Sequence, residues 1–140
     1  MDPKRPYYLL IIDDDPDHRL LLKIAAMKTG LYSLMGTPAD GQEALEVIKK
    51  CEDERGRLDL IITDLKMPRM DGIELTKILL QRPSSWDIPI VCFSSSDHPG
   101  DERRVLDAGC RAFFSKNENF HQLTAFFRSL EGFVTMPRGT

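Results

Sequence analysis

Short apolar runs alternate with longer amphipathic stretches along the chain. Tyr7 to Ile12, Leu58 to Thr63, Ile88 to Phe93 and Ala112 to Ser115 have the length and composition of strands buried on both faces. Leu31 to Met35 is a weaker candidate for another. Helical patterns lie between them. Pro16 to Lys28 carries Leu20, Leu21, Ile24, Ala25 and Met27 on one side, with Pro16 suited to a first turn. Asp40 to Lys50 turns Ala44, Leu45, Val47 and Ile48 inward, and Gly72 to Gln81 repeats Ile73, Leu75, Ile78 and Leu79. Asp101 to Ala108 is short and polar, whereas Glu118 to Leu130 carries Phe120, Leu123, Phe126, Phe127 and Leu130. Five strands, each followed by a helix, imply an α/β fold with a parallel sheet covered on both faces. The charged segment Cys51 to Arg57 breaks the helical period and is expected to be an extended loop. Phe133 to Thr140 is expected to be a loosely docked tail.

Composition narrows the class of function. The 140 residues suit one domain, against about 150 per domain in general. With 19 Lys and Arg against 22 Asp and Glu the net charge is −3, so there is no basic footprint and no nucleic-acid partner is expected. Cys51, Cys92 and Cys110 are odd in number and far apart, which fits reduced thiols rather than a disulfide frame or a zinc site. Near the N-terminus the apolar run Tyr7 to Ile12 is far shorter than the roughly 20 residues a membrane helix needs. No membrane association is expected, and the protein is expected to be cytoplasmic.

Ligands of an open parallel sheet bind outside the carboxyl ends of its strands. The first strand ends in Asp13-Asp14-Asp15, the third in Asp64, the fourth in Ser94-Ser95-Ser96 and the fifth in Ser115-Lys116. Carboxylates crowded on one rim repel one another unless something positive sits among them. A hard divalent cation such as Mg²⁺ supplies that charge through oxygen ligands. A central, only partly neutralised carboxylate can then attack a phosphoryl group, with a lysine and a hydroxyl stabilising the transferred oxygens. Asp64 is the natural nucleophile, because a central strand presents its end to both neighbours. Pro68 and Gly72 fit a tight loop after it.

These residues resemble the receiver domain of two-component response regulators over about residues 7 to 132. The likeness rests on Asp13-Asp14 after an apolar strand, Asp64 with Met67-Pro68 and Asp71-Gly72, Ser94 at the fourth strand end, and Lys116 after the fifth. It implies a flavodoxin-like, doubly wound five-stranded parallel sheet of order 2-1-3-4-5 with five helices, residues 133–140 forming a tail. Asp64 would accept phosphate from a sensor histidine kinase or a histidine phosphotransfer protein, and Asp13, Asp14, Asp64 and the backbone carbonyl of Lys66 would hold Mg²⁺. Ser94 would hydrogen-bond the phosphoryl group, Lys116 would pair with Asp64 or its phosphate, and Phe113 stands where relatives carry an aromatic that swings inward on activation. The molecule would be a phosphoacceptor switch rather than an enzyme. It would signal to a downstream protein, as a monomer or a weak homodimer through the fourth helix, fifth strand and fifth helix, where Arg103, Arg104, Asp107, Arg111 and Arg128 lie.

The sequence departs from that pattern in places. Relatives usually follow the lysine with a cis proline, but Asn117 stands here. A cis bond without proline costs about 3 to 4 kcal/mol, so a trans bond is expected. By the resemblance, Lys66 and Ser96 would lie where side chains of relatives line the path of the hydrolytic water. Asp15 before Pro16 suits an N-cap. His18, His98 and His121 lack metal-ligand spacing and are expected at surface or capping positions. The alternative function is a receiver-like interaction module that takes no phosphate. Multiple-turnover hydrolysis is disfavoured, since Lys66 stands where such hydrolases carry a second aspartate, and no glycine-rich nucleotide loop is present.

Overall fold

The computed structural model describes residues 6–82, 87–96 and 98–135. Five parallel strands form one sheet in the order β2-β1-β3-β4-β5: β1 is Tyr7–Ile12, β2 Tyr32–Gly36, β3 Leu60–Thr63, β4 Ile90–Ser94 and β5 Ala112–Ser115. Two strands start later than their apolar runs. Before β3, the buried carboxylate of Asp59 accepts from the backbone N–H of Tyr8 (2.8 Å), taking over a ladder position. Before β4, Pro89 has no N–H to offer, and only its carbonyl pairs, with Ile61 (3.0 Å).

Alternation along β1 sorts the core into two layers. Leu10 and Ile12 face one side with Ile61, Cys92, Ala44, Ile48, Leu75, Leu79 and Val105. Leu9 and Ile11 face the other with Ile62, Val91, Phe93, Leu22, Ala26 and Phe127. Helices α2 (Gly41–Asp53), α3 (Gly72–Leu80) and α4 (Asp101–Ala108) cover the first face. Helices α1 (Pro16–Lys28) and α6 (Leu123–Ser129) cover the second. No described helix is long and apolar enough to cross a membrane.

Each of the first three helices differs from the sequence reading. Helix α2 runs on to Asp53, so Cys51 to Asp53 is helical rather than loop. Cys51 falls one turn beyond Ile48 on the inward face and is 8% exposed; its charged successors hid that continuation. Helix α1 is rotated from the expected facing: of the five residues expected on one side only Ala25 is buried, together with Leu22 and Ala26 at the i, i+3, i+4 spacing. Leu20, Leu21, Ile24 and Met27 stand in solvent at 57, 46, 44 and 51% exposure. Apolar residues surround this helix, so periodicity cannot choose a face; the two alanines let its backbone approach the sheet. On α3 the corresponding difference is smaller, with Thr76 buried and Ile78 at the surface.

The final helical region is segmented. α5 (Lys116–Asn119) begins directly after β5, a 3-10 turn covers Phe120–Gln122, and α7 (Glu131–Thr135) follows α6. Gln122, at φ −142° and ψ 51°, leaves the helical region and interrupts the hydrogen-bond ladder. The expected tail therefore begins inside α7, and its part from 136 to 140 lies outside the described residues.

Candidate functional site

The carboxyl edge of the sheet forms a cleft of about 710 Å³, lined among others by Asp14, Asp64, Lys66, Ser94, Ser96 and Lys116. Each group reaches it by a local device. After β1, the backbone N–H of Asp13 donates to the carbonyl of Pro38 (3.2 Å), and Asp13 Oδ1 accepts from the N–H of Asp15 (2.9 Å). Arg19 Nη1 ties the loop down through the Asp13 carbonyl (2.8 Å). Asp15 caps α1, accepting from the N–H groups of Asp17 and His18. Asp13 is thereby buried while Asp14 projects into solvent.

After β3, Asp64 is 7% exposed, its N–H held by Ile12 (2.9 Å) and its Oδ1 by the N–H of Leu65 (2.7 Å). The loop returns tightly, Gly72 N–H reaching the carbonyl of Leu65 (2.8 Å). A Cβ at Gly72 would lie 2.4 Å from the Asp64 carbonyl oxygen, so only glycine fits. At the loop tip Arg69 takes φ 66°, in the left-handed region, and grips the α2 cap Asp40 through Nε (2.9 Å) and Nη2 (2.6 Å). The cap hydrogen bond from the N–H of Glu43, together with Arg69, holds the Asp40 carboxyl below its ordinary range.

At the floor, Lys116 is 3% exposed and its Nζ touches Asp13 Oδ2 (2.6 Å), Asp64 Oδ2 (2.9 Å) and His18 Nδ1 (2.9 Å). Burial alone would lower the lysine's pKa, but the two carboxylates outweigh it and raise it. Burial raises the Asp13 carboxyl despite the Lys116 and Asp15 hydrogen bonds, with Asp64 adding to the effect. The Lys116 shift reflects two carboxylates around one ammonium, whereas the Asp13 shift reflects chiefly its burial. One carboxylate oxygen each from Asp13, Asp14 and Asp64 lies within 4.8 Å of the others, which suits a hard divalent cation.

On the far wall, Ser94 is 1% exposed, and its Oγ accepts from the N–H of Ser96 (3.1 Å). Ser96 Oγ in turn donates to buried Asp101, which also pairs with Arg104 (3.0 Å). These contacts, the Ser96 hydroxyl first, hold the Asp101 carboxyl low. Phe113 is half-buried and lines a second cleft with Ser96, His98 and Glu118. The Lys116–Asn117 bond is trans, as expected, since no described peptide bond is cis.

The structure thus brings Asp14, Asp64, Lys66, Ser94 and Lys116 to one cleft, sets Asp13 buried against Lys116, and leaves Phe113 in the neighbouring cleft. His18 was missed. Its side chain is one-third exposed, yet its ring lies against Lys116 and Phe120 (ring centroids 4.8 Å apart). No spacing signal could have found it, because its partner Lys116 is 98 residues away.

The model of the response regulator receiver domain matches residues 9–128. The chain belongs to this family. Similar proteins include a gliding motility regulatory protein of Myxococcus xanthus, 34% identical over 110 residues, covering 79% of the chain and 13% of the relative. The phosphorylated cyanobacterial phytochrome response regulator RcpA superposes with a TM-score of 0.79 at 25% identity, covering 93% of this chain and 94% of that one. The Mn²⁺-bound response regulator Rcp1 gives 0.76 at 26% identity, covering 94% and 99%. The chain spans only 13 to 60% of the length of the first curated relatives it matches. As a receiver domain it belongs to two-component signalling, in a family of phosphoacceptor switches rather than conventional enzymes.

Proposed function

We propose that this receiver domain takes a phosphoryl group on Asp64 from the phosphohistidine of a sensor kinase or phosphotransfer protein, and passes the signal on by protein contact. The observation that carries the reading is the buried ammonium of Lys116 spanning Asp13 and Asp64 at the floor of an open cleft. Asp64 attacks phosphorus, the P–N bond of the donor breaks as the P–O bond forms, and the leaving imidazole keeps the electron pair and takes up a proton. Leu65 N–H and Lys116 fix the attacking carboxylate from two sides. Lys116 and the Ser94 hydroxyl stabilise the equatorial oxygens. Asp13, Asp14, Asp64 and the Lys66 carbonyl would hold Mg²⁺, which when bound supplies the positive charge this acidic cluster lacks.

The apolar stripe on α1, Leu20, Leu21, Ile24 and Met27, starts next to the cleft and offers a phosphodonor an apolar landing surface. On the opposite flank three arginines, two in α4 and one just before β5, are already paired: Arg103 with Asp107, Arg104 with Asp101 and Arg111 with Asp87. Output or weak self-pairing through that flank would exchange these pairs for intermolecular ones. Phosphate would bias a pre-existing equilibrium at Ser94 and Phe113, and residues 7–132 would suffice as the receiver unit.

Incubation with a small-molecule phosphodonor and Mg²⁺, followed by intact-mass measurement, tests the reading. A gain of one phosphoryl group that vanishes in Asp64→Asn supports it. No gain with any donor leaves the constitutive interaction module instead.

A further inference from the structure

Lys116 has three N–H donors and no acceptor. Asp13, Asp64 and His18 take all three. For His18 this requires the neutral ring with Nδ1 as acceptor and the proton on Nε2. The Nε2 side faces Asp15 Oδ2 at 3.6 Å, a carboxylate already fixed as the cap of α1. Lys116 therefore bridges His18 to Asp64 by hydrogen bonds, with Asp15 beside the outer edge of the ring. The ring is further clamped by Phe120, which stacks in turn on Phe93 in β4 (centroids 6.3 Å apart).

We propose that His18 is a positioning residue that holds the Lys116 ammonium on the phosphoryl site. The inference rests on the phosphoacceptor reading of Asp64 and extends it to this lysine's orientation. Two of the three partners of Lys116 change when the site works: Asp13 turns to the cation and Asp64 becomes an acyl phosphate. His18 is the partner that undergoes neither change. A lysine side chain is long and flexible, and here no proline follows to stiffen the turn at its backbone. The anchor comes from α1 instead, reaching across the cleft.

His18→Leu and His18→Asn separate the acceptor from the bulk. Leucine keeps apolar packing on Phe120 and removes the acceptor; asparagine puts an amide oxygen near the place of Nδ1. With acetyl phosphate and Mg²⁺, His18→Leu is expected to slow phosphorylation of Asp64 about tenfold, the size of one charge-assisted hydrogen bond felt in the transition state. His18→Asn is expected to stay within about threefold of the parent. In ¹⁵N NMR of the lysine side chains, the Lys116 ammonium should be protected in the parent and in His18→Asn, and lost to fast exchange in His18→Leu. Equal rates for the parent and His18→Leu, or a His18→Asn as slow as His18→Leu, would overturn the inference. If the parent itself takes no phosphate, the phosphoacceptor reading fails on its own, and the NMR comparison still decides the anchor: unchanged Lys116 protection in His18→Leu refutes it.

Discussion

The turns that leave β3 and β5 deliver the two groups at the heart of the site, and they do so by opposite means. After β3 the backbone does the positioning: Asp64 is fixed by Ile12 and Leu65, Gly72 closes the loop, and Arg69 pins its tip to Asp40. After β5 the backbone offers little, because Lys116 enters a four-residue helix with no side-chain cap. The main local support there is Asn119 Nδ2 donating to the Ser115 carbonyl (2.8 Å). Lys116 is placed from its far end, by Asp13, Asp64 and His18. Asp64, the proposed phosphoacceptor, sits on a rigid frame, while its counter-ion is held through side-chain contacts alone. A phosphorylation switch needs that asymmetry, since its charge must rearrange while its acceptor stays still.

The sharpest way to break the rigid half is Gly72→Ala. The methyl collides with the Asp64 carbonyl, and urea denaturation should show a loss of about 3 kcal/mol with unchanged m-value. Exchange in the other half is exposed by metal. Mg²⁺ at a hundredfold excess over its Kd should stabilise the fold by about 2.7 kcal/mol, and Asp14→Asn, at an exposed position, should remove that gain. A Tm equally raised in Asp14→Asn would place the cation elsewhere.

Arg69 sharpens the comparison at lower cost. Arg69→Ala loses the grip on Asp40 and keeps a positive φ, so its Tm should fall modestly below the parent's. Arg69→Gly loses the same pair but relieves about 1 kcal/mol of left-handed strain, so its stability should fall close to the parent's. Acid probes the depressed carboxyls. Asp40 and Asp101 are more acidic folded than unfolded, so their stabilisation is complete above the unfolded carboxyl range, near pH 4, and fades as pH falls through their lower folded values. Asp13, raised by burial, works against stability at neutral pH and relents on acidification. Stability should therefore drop less steeply below about pH 4 in Asp40→Asn than in the parent, as acid titration by circular dichroism would show. The smallest effect belongs to Lys66, whose exposed side chain lines the cleft. Removing its screen in Lys66→Ala should shorten the acyl-phosphate half-life about threefold.

Much of this was legible in the sequence because it is written in local chemistry. Pro68 and Asp71-Gly72 announce the β3 turn, Asp15-Pro16 announces a helix start, and unbroken apolar runs mark strands that are covered on both sides. What escaped is set by tertiary choice. The inward face of α1 escaped because apolar residues lie all around that helix, and two of its three buried residues, Ala25 and Ala26, carry a weak hydrophobic signal. The extra turn of α2 was hidden by Glu52 and Asp53, although Cys51 continues the buried row. His18 could not be seen as part of the site, since its meaning depends on a lysine brought to it by the whole width of the sheet.

The most direct test asks where the phosphoryl group sits. Loading the protein with a phosphodonor and Mg²⁺, reducing the acyl phosphate with borohydride and mapping the modified peptide should mark position 64 alone. A mark at Asp13 or Asp14, or no mark in a protein that binds Mg²⁺, would contradict the account.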